Sequence, residues 1–397
     1  MTSDRHATPS AFHPAAPTSA LIAALVGFGG TIALIVQAFT HLGAGQAELV
    51  SAVAALCLGK ALFGGWLSWR LKMPVVLAWS TPGAALLAAT TLSLDWPSAV
   101  GAFLVAAALM VLTGLVPQFA RGVERIPSGI AAGMLAGVLL PFVMAMFKGL
   151  GADPLLVGGL LAVFVGMRLR WPLYAMLAVL AAAIVMMGVR GDFATLALGE
   201  GAWLAHPVLT MPRFTLDAAI SLGVPLFLVT LMSQNIPGFV VLRAAGYEPP
   251  VQRLLFTTGL ASLFAAPFGG HALNMAAITA AICTNEDAHP DKAQRWTVAM
   301  WYALFYLVLA LFAGALVALF MAMPALMIAA IAGIALLAPL TGALQSMIAD
   351  RDHLEAAMAT FAATASGVTL YGIGSAFWGL VIGLAISGVQ MLVGKRS

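Results

Sequence analysis

Apolar runs long enough to cross a lipid bilayer follow one another along almost the whole chain. A membrane-spanning helix needs about 20 predominantly apolar residues, and the runs here are separated only by short stretches that carry single charges, prolines or glycines. Charged residues make up 8% of the sequence and apolar residues 62%, whereas a soluble domain carries about 25% charged residues. The sequence therefore predicts a multi-pass, all-α membrane protein that contacts lipid along nearly its whole length.

Charges, prolines and turn residues divide the chain into fourteen candidate membrane segments, numbered 1 to 14 in chain order. Segments 1 to 7 are predicted at 19–41, 47–67, 75–91, 97–118, 127–147, 153–168 and 171–189. Segments 8 to 14 are predicted at 216–242, 253–266, 267–283, 296–321, 324–348, 353–372 and 375–393. We expect residues 1–18 to form a disordered N-terminal tail and residues 191–215 to form an external connecting loop.

The distribution of Lys and Arg orients these segments. With the N-terminus in the cytoplasm, only Lys148, Arg190 and Arg213 of the 18 basic residues fall in external loops, and Lys60 lies within segment 2. Cytoplasmic loops carry the excess of basic residues in membrane proteins, so both termini are predicted to be cytoplasmic. We interpret Lys60 as a residue near the cytoplasmic side whose ammonium reaches the interface. The scattered basic residues do not favour binding to nucleic acid.

An internal repeat relates the two halves of the chain. Pro127 and Pro141 bracket an Ala-, Gly- and Leu-rich stretch in segment 5, and Pro324 and Pro339 bracket a similar stretch in segment 12. The offset of about 197 residues corresponds to seven segments, and an odd number of segments places the two copies in opposite orientations. The first repeat would span 19–190 and the second 216–393. Chance similarity between apolar segments is the alternative, but inverted repeats are typical of secondary transporters.

Segments 3 and 10 do not have the pattern of continuous helices. Thr81 precedes a proline, which favours extended backbone, so we expect an extended stretch at 75–80 and a short helix at 82–91. In segment 10, the sequence PFGGHALN at 267–274 interrupts the helix, and a short helix is expected to begin at Asn274. Two kinked but continuous spans are the alternative. Two half-helix N-termini that face each other would offer N–H groups and partial positive charge to an anion.

Few polar side chains are predicted at the depth of the bilayer centre. Gln234 and Asn235 lie in the middle of segment 8, where they contact either substrate or a neighbouring helix. His271 lies in the break of segment 10 and is the candidate proton-coupling residue, because histidine ordinarily titrates near pH 6.5. A neutral histidine that hydrogen-bonds the broken backbone is the alternative. No carboxylate is predicted at this depth, which disfavours a cationic substrate.

The predicted substrate-binding residues occupy the two breaks and the middle of segment 8. They are Ser80, Thr81, Pro82, Gly83, Gln234, Asn235, Gly270, His271, Ala272, Leu273 and Asn274. We expect no catalytic residue, no metal ligand and no cofactor, because the sequence lacks clustered histidines and acids of the kind that such sites require.

Three motifs resemble the signatures of the bacterial benzoate/proton symporter family (BenE). They are WSTPG at 79–83, SQNIPG at 233–238 and PFGGHALNMAAITAAIC at 267–283, and the resemblance extends over essentially the whole chain. It implies that the protein imports benzoate, or a related aromatic carboxylate, together with protons across the bacterial inner membrane by alternating access.

That family is similar in architecture to the nucleobase and sulfate carriers with seven-plus-seven inverted repeats. The similarity implies a core domain of 19–118 with 216–321, a gate domain of 127–190 with 324–393, and a substrate held between segments 3 and 10. Where the uracil carriers have a proton-linked glutamate in segment 8, this chain has Gln234. An amide cannot titrate, so their coupling chemistry does not carry over.

Two other functions compete with this prediction. A uniporter or channel-like facilitator for a small organic anion or nucleobase-like solute fits the lack of an intramembrane carboxylate. A membrane-embedded enzyme would need a catalytic cluster that the sequence does not contain, so no enzymatic activity is expected. The expected partners are the substrate, protons and the lipid bilayer, and a homodimer is left open.

Overall fold

The structure is a computed structural model that describes residues 13–92, 94–118, 126–195, 203–371 and 373–394. Its first helix begins at Ala15, so the predicted disordered tail at 1–18 extends too far along the chain. Residues 1–12 of that tail and residues 196–202 of the predicted connecting loop lie outside the described residues. Residues 119–125 and 395–397, which include Arg121, Arg125, Lys395 and Arg396, also lie outside the described residues.

Helices dominate both halves of the described chain. The first half contains α-helices at Ala15–Gly29, Ile32–His41, Gln46–Gly59, Gly65–Leu71, Thr81–Ala88, Trp96–Leu115, Ser128–Gly149, Pro154–Arg170 and Ala175–Arg190. The second half contains α-helices at Leu216–Ala218, Val224–Thr230, Ile236–Ala244, Val251–Ala265, Ile278–Thr284, Trp296–Leu311, Ala313–Met321, Ala325–Ala349, Leu354–Ala365 and Ser375–Gly394.

Shorter elements interrupt these helices. Wider π-helical turns occur at Lys60–Gly64 in segment 2 and at Ala219–Gly223 and Leu231–Asn235 in segment 8. Tighter 3₁₀ turns occur at Pro172–Tyr174, Asp192–Thr195, Ala266–Phe268, Lys292–Gln294 and Arg351–His353. Two short strands, β1 (Leu77–Trp79) and β2 (Leu273–Met275), lie in segments 3 and 10.

Eight helices of the described residues are long and apolar enough to cross a membrane. The pair Lys292–Leu311 and Ala313–Met321, which bends by 65°, makes a ninth if it is counted as one span. The main helices of segments 6, 9 and 13 have 17, 15 and 12 residues, fewer than the roughly 20 that a perpendicular crossing needs. The eight or nine spanning helices nevertheless make the chain a predominantly helical, multi-pass membrane protein.

The segments pack most extensively within two groups. In one group, segment 5 packs against segments 12 and 13, and segment 13 packs against segment 14. In the other group, segment 4 packs against segment 9, and segment 1 packs against segments 10 and 11. The strands β1 and β2 belong to the second group, so the interruption of segments 3 and 10 lies inside packed helices, as membrane-buried backbone requires.

The chain that leads into segment 8 is tied to the start of segment 4. Asp95 caps the segment 4 helix by accepting a hydrogen bond from the Ser98 N–H at 3.2 Å, and it pairs with Arg213. The hydrogen bonds from Ser98 and the charge of Arg213 lower the pKa of Asp95 below its ordinary value. The Arg213 N–H also donates to the Pro97 carbonyl at 2.9 Å. Segment 8 therefore starts beside segment 4.

Candidate functional site

The extended stretches of segments 3 and 10 pair with each other. The strands are antiparallel, with Leu77 opposite Met275, Ala78 opposite Asn274 and Trp79 opposite Leu273. Beyond the strands, the Ser80 N–H donates to the Ala272 carbonyl at 3.2 Å, and the Ala276 N–H donates to the Val76 carbonyl at 2.9 Å. Unpaired backbone groups are costly in a membrane. The strand pairing provides hydrogen-bond partners for backbone N–H and C=O groups that the two interruptions would otherwise leave unpaired.

The helix of segment 3 begins where hydroxyl groups from three segments meet. Ser80 is extended and its Oγ accepts a hydrogen bond from the Gly83 N–H at 3.0 Å, with a proline in the first turn, which is a favourable way to start a helix. Thr230 of segment 8 donates its hydroxyl to Ser80 Oγ at 2.9 Å. Thr31 of segment 1 hydrogen-bonds Thr81 at 2.6 Å. The observed helix, Thr81–Ala88, lies close to the predicted 82–91.

The helix of segment 10 begins later than the sequence predicted. It spans Ile278–Thr284, because the residues from Leu273 to Met275 are used in β2. The Met275 N–H donates to Asn235 Oδ1 at 2.9 Å, and the Leu273 N–H donates to Ser262 Oγ at 2.9 Å. The prediction that this helix begins at Asn274 is therefore wrong, since Asn274 belongs to β2.

His271 links the two interrupted segments. Its side chain is completely buried, and Nε2 lies 3.0 Å from the Ser80 carbonyl. Because a carbonyl can only accept, Nε2 carries the hydrogen and donates it. The ring packs against Phe39 and Phe103, with centroid distances of 5.6 and 6.4 Å. This geometry matches the structural alternative for His271, and its role in proton coupling stays a prediction.

The remaining predicted residues of segment 10 support the strand pair. Asn274 is fully buried. With its amide nitrogen turned toward two backbone carbonyls, Asn274 donates from Nδ2 to the Ala78 oxygen at 3.0 Å and to the Met275 oxygen at 3.2 Å. The Gly270 N–H donates to the Ala265 carbonyl at 2.9 Å, and Ala272 is buried beside it. These residues therefore shape the wall of the site through the backbone.

Gln234 differs from its neighbour Asn235. Asn235 is fully buried and holds β2, whereas Gln234 is half-buried in the same π-helical turn, Leu231–Asn235. No hydrogen bond from the Gln234 side chain to another described residue is present. It lies four residues after Thr230, whose hydroxyl contacts Ser80.

A small cavity lies beside these hydroxyl groups. Its volume is about 10 Å³, which accommodates roughly one water molecule. It is lined by Ala106, Ala107, Met110, Leu226, Phe227, Thr230, Ser262, Ala272 and Leu273. Pockets for small organic ligands are typically about 300–1,000 Å³. An aromatic acid can therefore occupy this region only after the surrounding segments move apart.

Lys60 lies in the interior, contrary to the sequence-based interpretation. Its side chain is 1% exposed, and Nζ lies 3.2 Å from the ring centroid of Trp79 and 4.2 Å from that of Tyr306. The helix face that carries Lys60 is turned toward segments 3 and 11, so the ammonium does not reach an interface. The sequence shows a lysine within an apolar run, but only the packing reveals its partners.

Thr31 and Thr230 are further residues of the site that the sequence reading missed. Each is an isolated hydroxyl in an apolar run, and such a residue commonly bonds its own helix backbone. Thr31 follows Gly29 and the adjacent glycine, where segment 1 is interrupted, and Thr230 precedes Gln234 by four residues. The glycines before Thr31 and the four-residue spacing between Thr230 and Gln234 were the sequence features that could have indicated these two residues.

Comparison with known proteins identifies the family. Residues 10–389 match the family described as benzoate membrane transport protein, BenE. The chain is 40% identical over 376 residues to the inner membrane protein YdcO of Escherichia coli (strain K12), covering 95% of this chain and 96% of that protein. It is 34% identical over 369 residues to the benzoate membrane transport protein of Acinetobacter baylyi, covering 93% of each.

The fold is also found in a solved structure. The transmembrane domain of the cyanobacterial bicarbonate transporter BicA is similar with a TM-score of 0.57 at 16% identity, over 96% of this chain and 97% of that domain. This similarity concerns the fold alone. The family match covers nearly the whole chain and is to a family of membrane transport proteins. The alternative of a membrane-embedded enzyme is therefore not supported. The protein belongs to the benzoate membrane transport protein family, BenE.

Proposed function

We propose that the protein is a secondary active transporter that imports benzoate, or a related aromatic carboxylate, together with protons across the bacterial inner membrane. The substrate is inferred from the match of residues 10–389 to the benzoate transport family. A relative of 34% identity bears the same name. A relative of 40% identity is named as an inner membrane protein, which supports the location. The predicted cytoplasmic position of both termini belongs to this proposal.

The start of the segment 3 helix is the proposed carboxylate site. Thr81–Ala88 presents its N-terminus beside the hydroxyls of Thr31 and Thr230. Helix N-termini attract anions because their first N–H groups have no partner within the helix. Gln234 is a half-buried amide without a described hydrogen bond, so it can donate to the carboxylate. Leu273 and Asn274 of β2, with the adjacent Ala272, form the opposite wall.

We further propose two inverted repeats of seven segments. The helices of segments 3 and 10 begin at Thr81 and Ile278, which are separated by the same offset of about 197 residues as Pro127 and Pro324. The antiparallel pairing of β1 with β2 is the arrangement expected of two equivalent stretches that run in opposite directions. Inverted repeats with interrupted helices around a central site are typical of secondary transporters.

Movement of a core domain against a gate domain would open the site. The proposed core is 19–118 with 216–321, and the proposed gate is 127–190 with 324–393. Support comes from the packing of segments 5, 12, 13 and 14 with one another, and from the separate packing of segments 1, 4, 9, 10 and 11. Because the cavity at the site has about 10 Å³, sliding between these two groups is the simplest way to admit an aromatic ring.

Ligand-dependent thermal stability of the purified protein tests the proposed substrate. Benzoate at about 100 times its Kd is expected to stabilise the folded state by about 2.7 kcal/mol and to raise the Tm by several degrees, while uracil and bicarbonate have no effect. A Gln234→Ala variant should need about ten to one hundred times more benzoate, because a hydrogen bond to a charged group contributes about 1.5–3 kcal/mol.

A Gln37→Ala variant is the matched control, since Gln37 is a half-buried amide in the second helix of segment 1. It should keep the wild-type response to benzoate. Stabilisation by uracil or bicarbonate in place of benzoate would replace the proposed substrate class. An equal loss of benzoate response in both variants would remove Gln234 from the proposed site.

A further inference from the structure

Lys60 lies at the level of the strand pair, in the middle of the fold. It begins the π-helical turn Lys60–Gly64 of segment 2, and such turns occur frequently at functional sites. The preceding residue, Gly59, approaches β2 so closely that a Cβ there would lie 2.3 Å from Leu273 Cδ1. A Cβ on Gly64 would lie 3.3 Å from Leu77 Cγ of β1. The turn that carries Lys60 therefore rests against both strands.

The Lys60 amine has aromatic neighbours and no hydrogen-bond partner among the described residues. Nζ is buried and lies over the faces of Trp79 and Tyr306. Aromatic faces attract a cation, but they do not replace the water or the counter-ion that a buried ammonium loses. A charged Lys60 in this position is consequently stabilised strongly by any anion that enters the neighbouring site.

The titratable groups around Lys60 are thiols, phenols and one imidazole. They are Cys57 on its own helix, Tyr302 and Tyr306 on segment 11, and His271 and Cys283 on segment 10. None of these is a carboxylate, so no side chain in this cluster serves as a permanent counter-ion.

The proposed carboxylate site is close to this amine. Trp79, which contacts Lys60, precedes Thr81 by two residues, and consecutive Cα atoms are about 3.8 Å apart. The Thr81 Cα therefore lies within about 8 Å of the Trp79 Cα, and charges on the order of 10 Å apart still interact in the protein interior, where screening is weak.

We propose that Lys60 accepts the transported proton when the substrate carboxylate binds at the start of the segment 3 helix. A proton from the external solution adds to the lone pair of the Lys60 amine, and the resulting ammonium balances the carboxylate. After the core reorients, benzoate leaves to the cytoplasm and the ammonium releases its proton there, which regenerates the amine. Proton and benzoate each favour the binding of the other by the same free energy, because coupling between two sites is reciprocal.

This inference rests on the proposed benzoate transport and assigns its proton carrier. It places the carrier on segment 2 and leaves His271 with the hydrogen bond to Ser80. It also removes the need for an intramembrane carboxylate, because the substrate itself supplies the negative charge that makes protonation of a buried amine favourable.

The test compares net proton-coupled uptake with exchange in proteoliposomes, each corrected for protein-free liposomes. Proton entry is followed with a trapped pH indicator, and radiolabelled benzoate is followed in parallel. In a Lys60→Gln variant, benzoate-dependent proton entry and gradient-driven uptake should fall about tenfold or more. Exchange of external labelled benzoate for internal unlabelled benzoate requires no proton release and should persist, although at a higher half-saturating benzoate concentration, because glutamine cannot balance the carboxylate.

Lys60→Arg is the second variant, because arginine keeps the charge and the aromatic contacts but does not release its proton. It should likewise exchange benzoate without proton entry. Lys72→Gln is the matched control, since Lys72 is an exposed lysine whose Nζ lies 3.8 Å from the Trp296 ring centroid, and it should keep full coupling.

Retained proton coupling in either Lys60 variant would overturn the assignment, and so would parallel loss of coupled uptake and exchange in a folded Lys60→Arg protein. If the wild-type protein transports no benzoate, the proposed function itself fails. If the wild-type protein couples normally and the Lys60 variants do so too, only the assignment of Lys60 fails.

Discussion

An Asn235→Leu substitution is expected to reduce benzoate uptake to less than about a tenth of the wild-type rate and to lower the Tm. Asn235 is fully buried, and its Oδ1 accepts the Met275 N–H of β2 at 2.9 Å. Leucine has a similar size but cannot accept this hydrogen bond, and leaving a buried N–H unpaired costs about 1–3 kcal/mol. The loss falls on the strand that forms one wall of the proposed site.

Thermal unfolding and initial uptake rates measure the two effects of this substitution. Asn285→Leu is the matched control, because Asn285 is an exposed loop residue whose Oδ1 accepts only the Asp287 N–H in the described structure. It should change neither quantity appreciably. An Asn235→Leu protein with wild-type Tm and uptake would show that β2 does not depend on this amide.

A Gly238→Ala substitution is the second change with a large expected effect. Gly238 lies in the segment 8 helix Ile236–Ala244, directly against β2. A Cβ there would lie 2.5 Å from Met275 Cβ and 2.9 Å from the Ala276 carbonyl oxygen. These atoms cannot move away without shifting the strand pair, and forcing extra volume into a packed interior typically costs about 1–3 kcal/mol.

Gly342→Ala provides a control of opposite sign. Gly342 lies within the segment 12 helix Ala325–Ala349, and a Cβ there would meet no atom within 4 Å. Alanine favours a helix over glycine by about 1 kcal/mol, so Gly342→Ala should leave the Tm unchanged or raise it. Gly238→Ala should lower both the Tm and the uptake rate. A Gly238→Ala protein as stable and active as Gly342→Ala would contradict the tight contact between segment 8 and β2.

The sequence predicts the membrane character and most of the observed helix ends because these depend on local properties. A run of about 20 apolar residues has to be a membrane segment whatever its neighbours are. The start of the segment 3 helix is similarly local, because Ser80 is extended and caps it. Thr81, which precedes the proline and was expected to be extended, is instead the first residue of the helix.

The position of the segment 10 helix could not be predicted in the same way. Its sequence permits a helix from Asn274, yet the structure uses the residues up to Met275 in β2. That choice depends on hydrogen bonds to segments 3, 8 and 9, which are distant in the sequence. The pairing partner of a three-residue strand is decided by tertiary contacts.

The buried position of Lys60 shows the same limit. An apolar run that contains one lysine is compatible with an ammonium that reaches the interface and with one buried in the fold. Which occurs depends on the helix face on which Lys60 lies relative to Trp79 and Tyr306. Those two residues come from different segments, so the sequence around Lys60 contains no information about them.

The hydroxyl cluster at the start of the segment 3 helix is a third case. Thr31 and Thr230 are unremarkable in their own segments, and they become part of the site only because segments 1 and 8 meet segment 3. Gln234 was predicted because an amide in the middle of an apolar run is conspicuous, and its role in substrate binding stays a prediction.

Proton-coupled transport of benzoate is distinguished from facilitated anion movement by the driving force for uptake in proteoliposomes. Initial rates of labelled benzoate uptake, corrected for protein-free liposomes, would be measured with an imposed proton gradient and, separately, with an imposed membrane potential. Uptake should rise with an inward proton gradient, up to about tenfold accumulation per pH unit for one proton per benzoate. Uptake that follows the membrane potential and ignores the proton gradient would contradict proton coupling and would identify an anion facilitator.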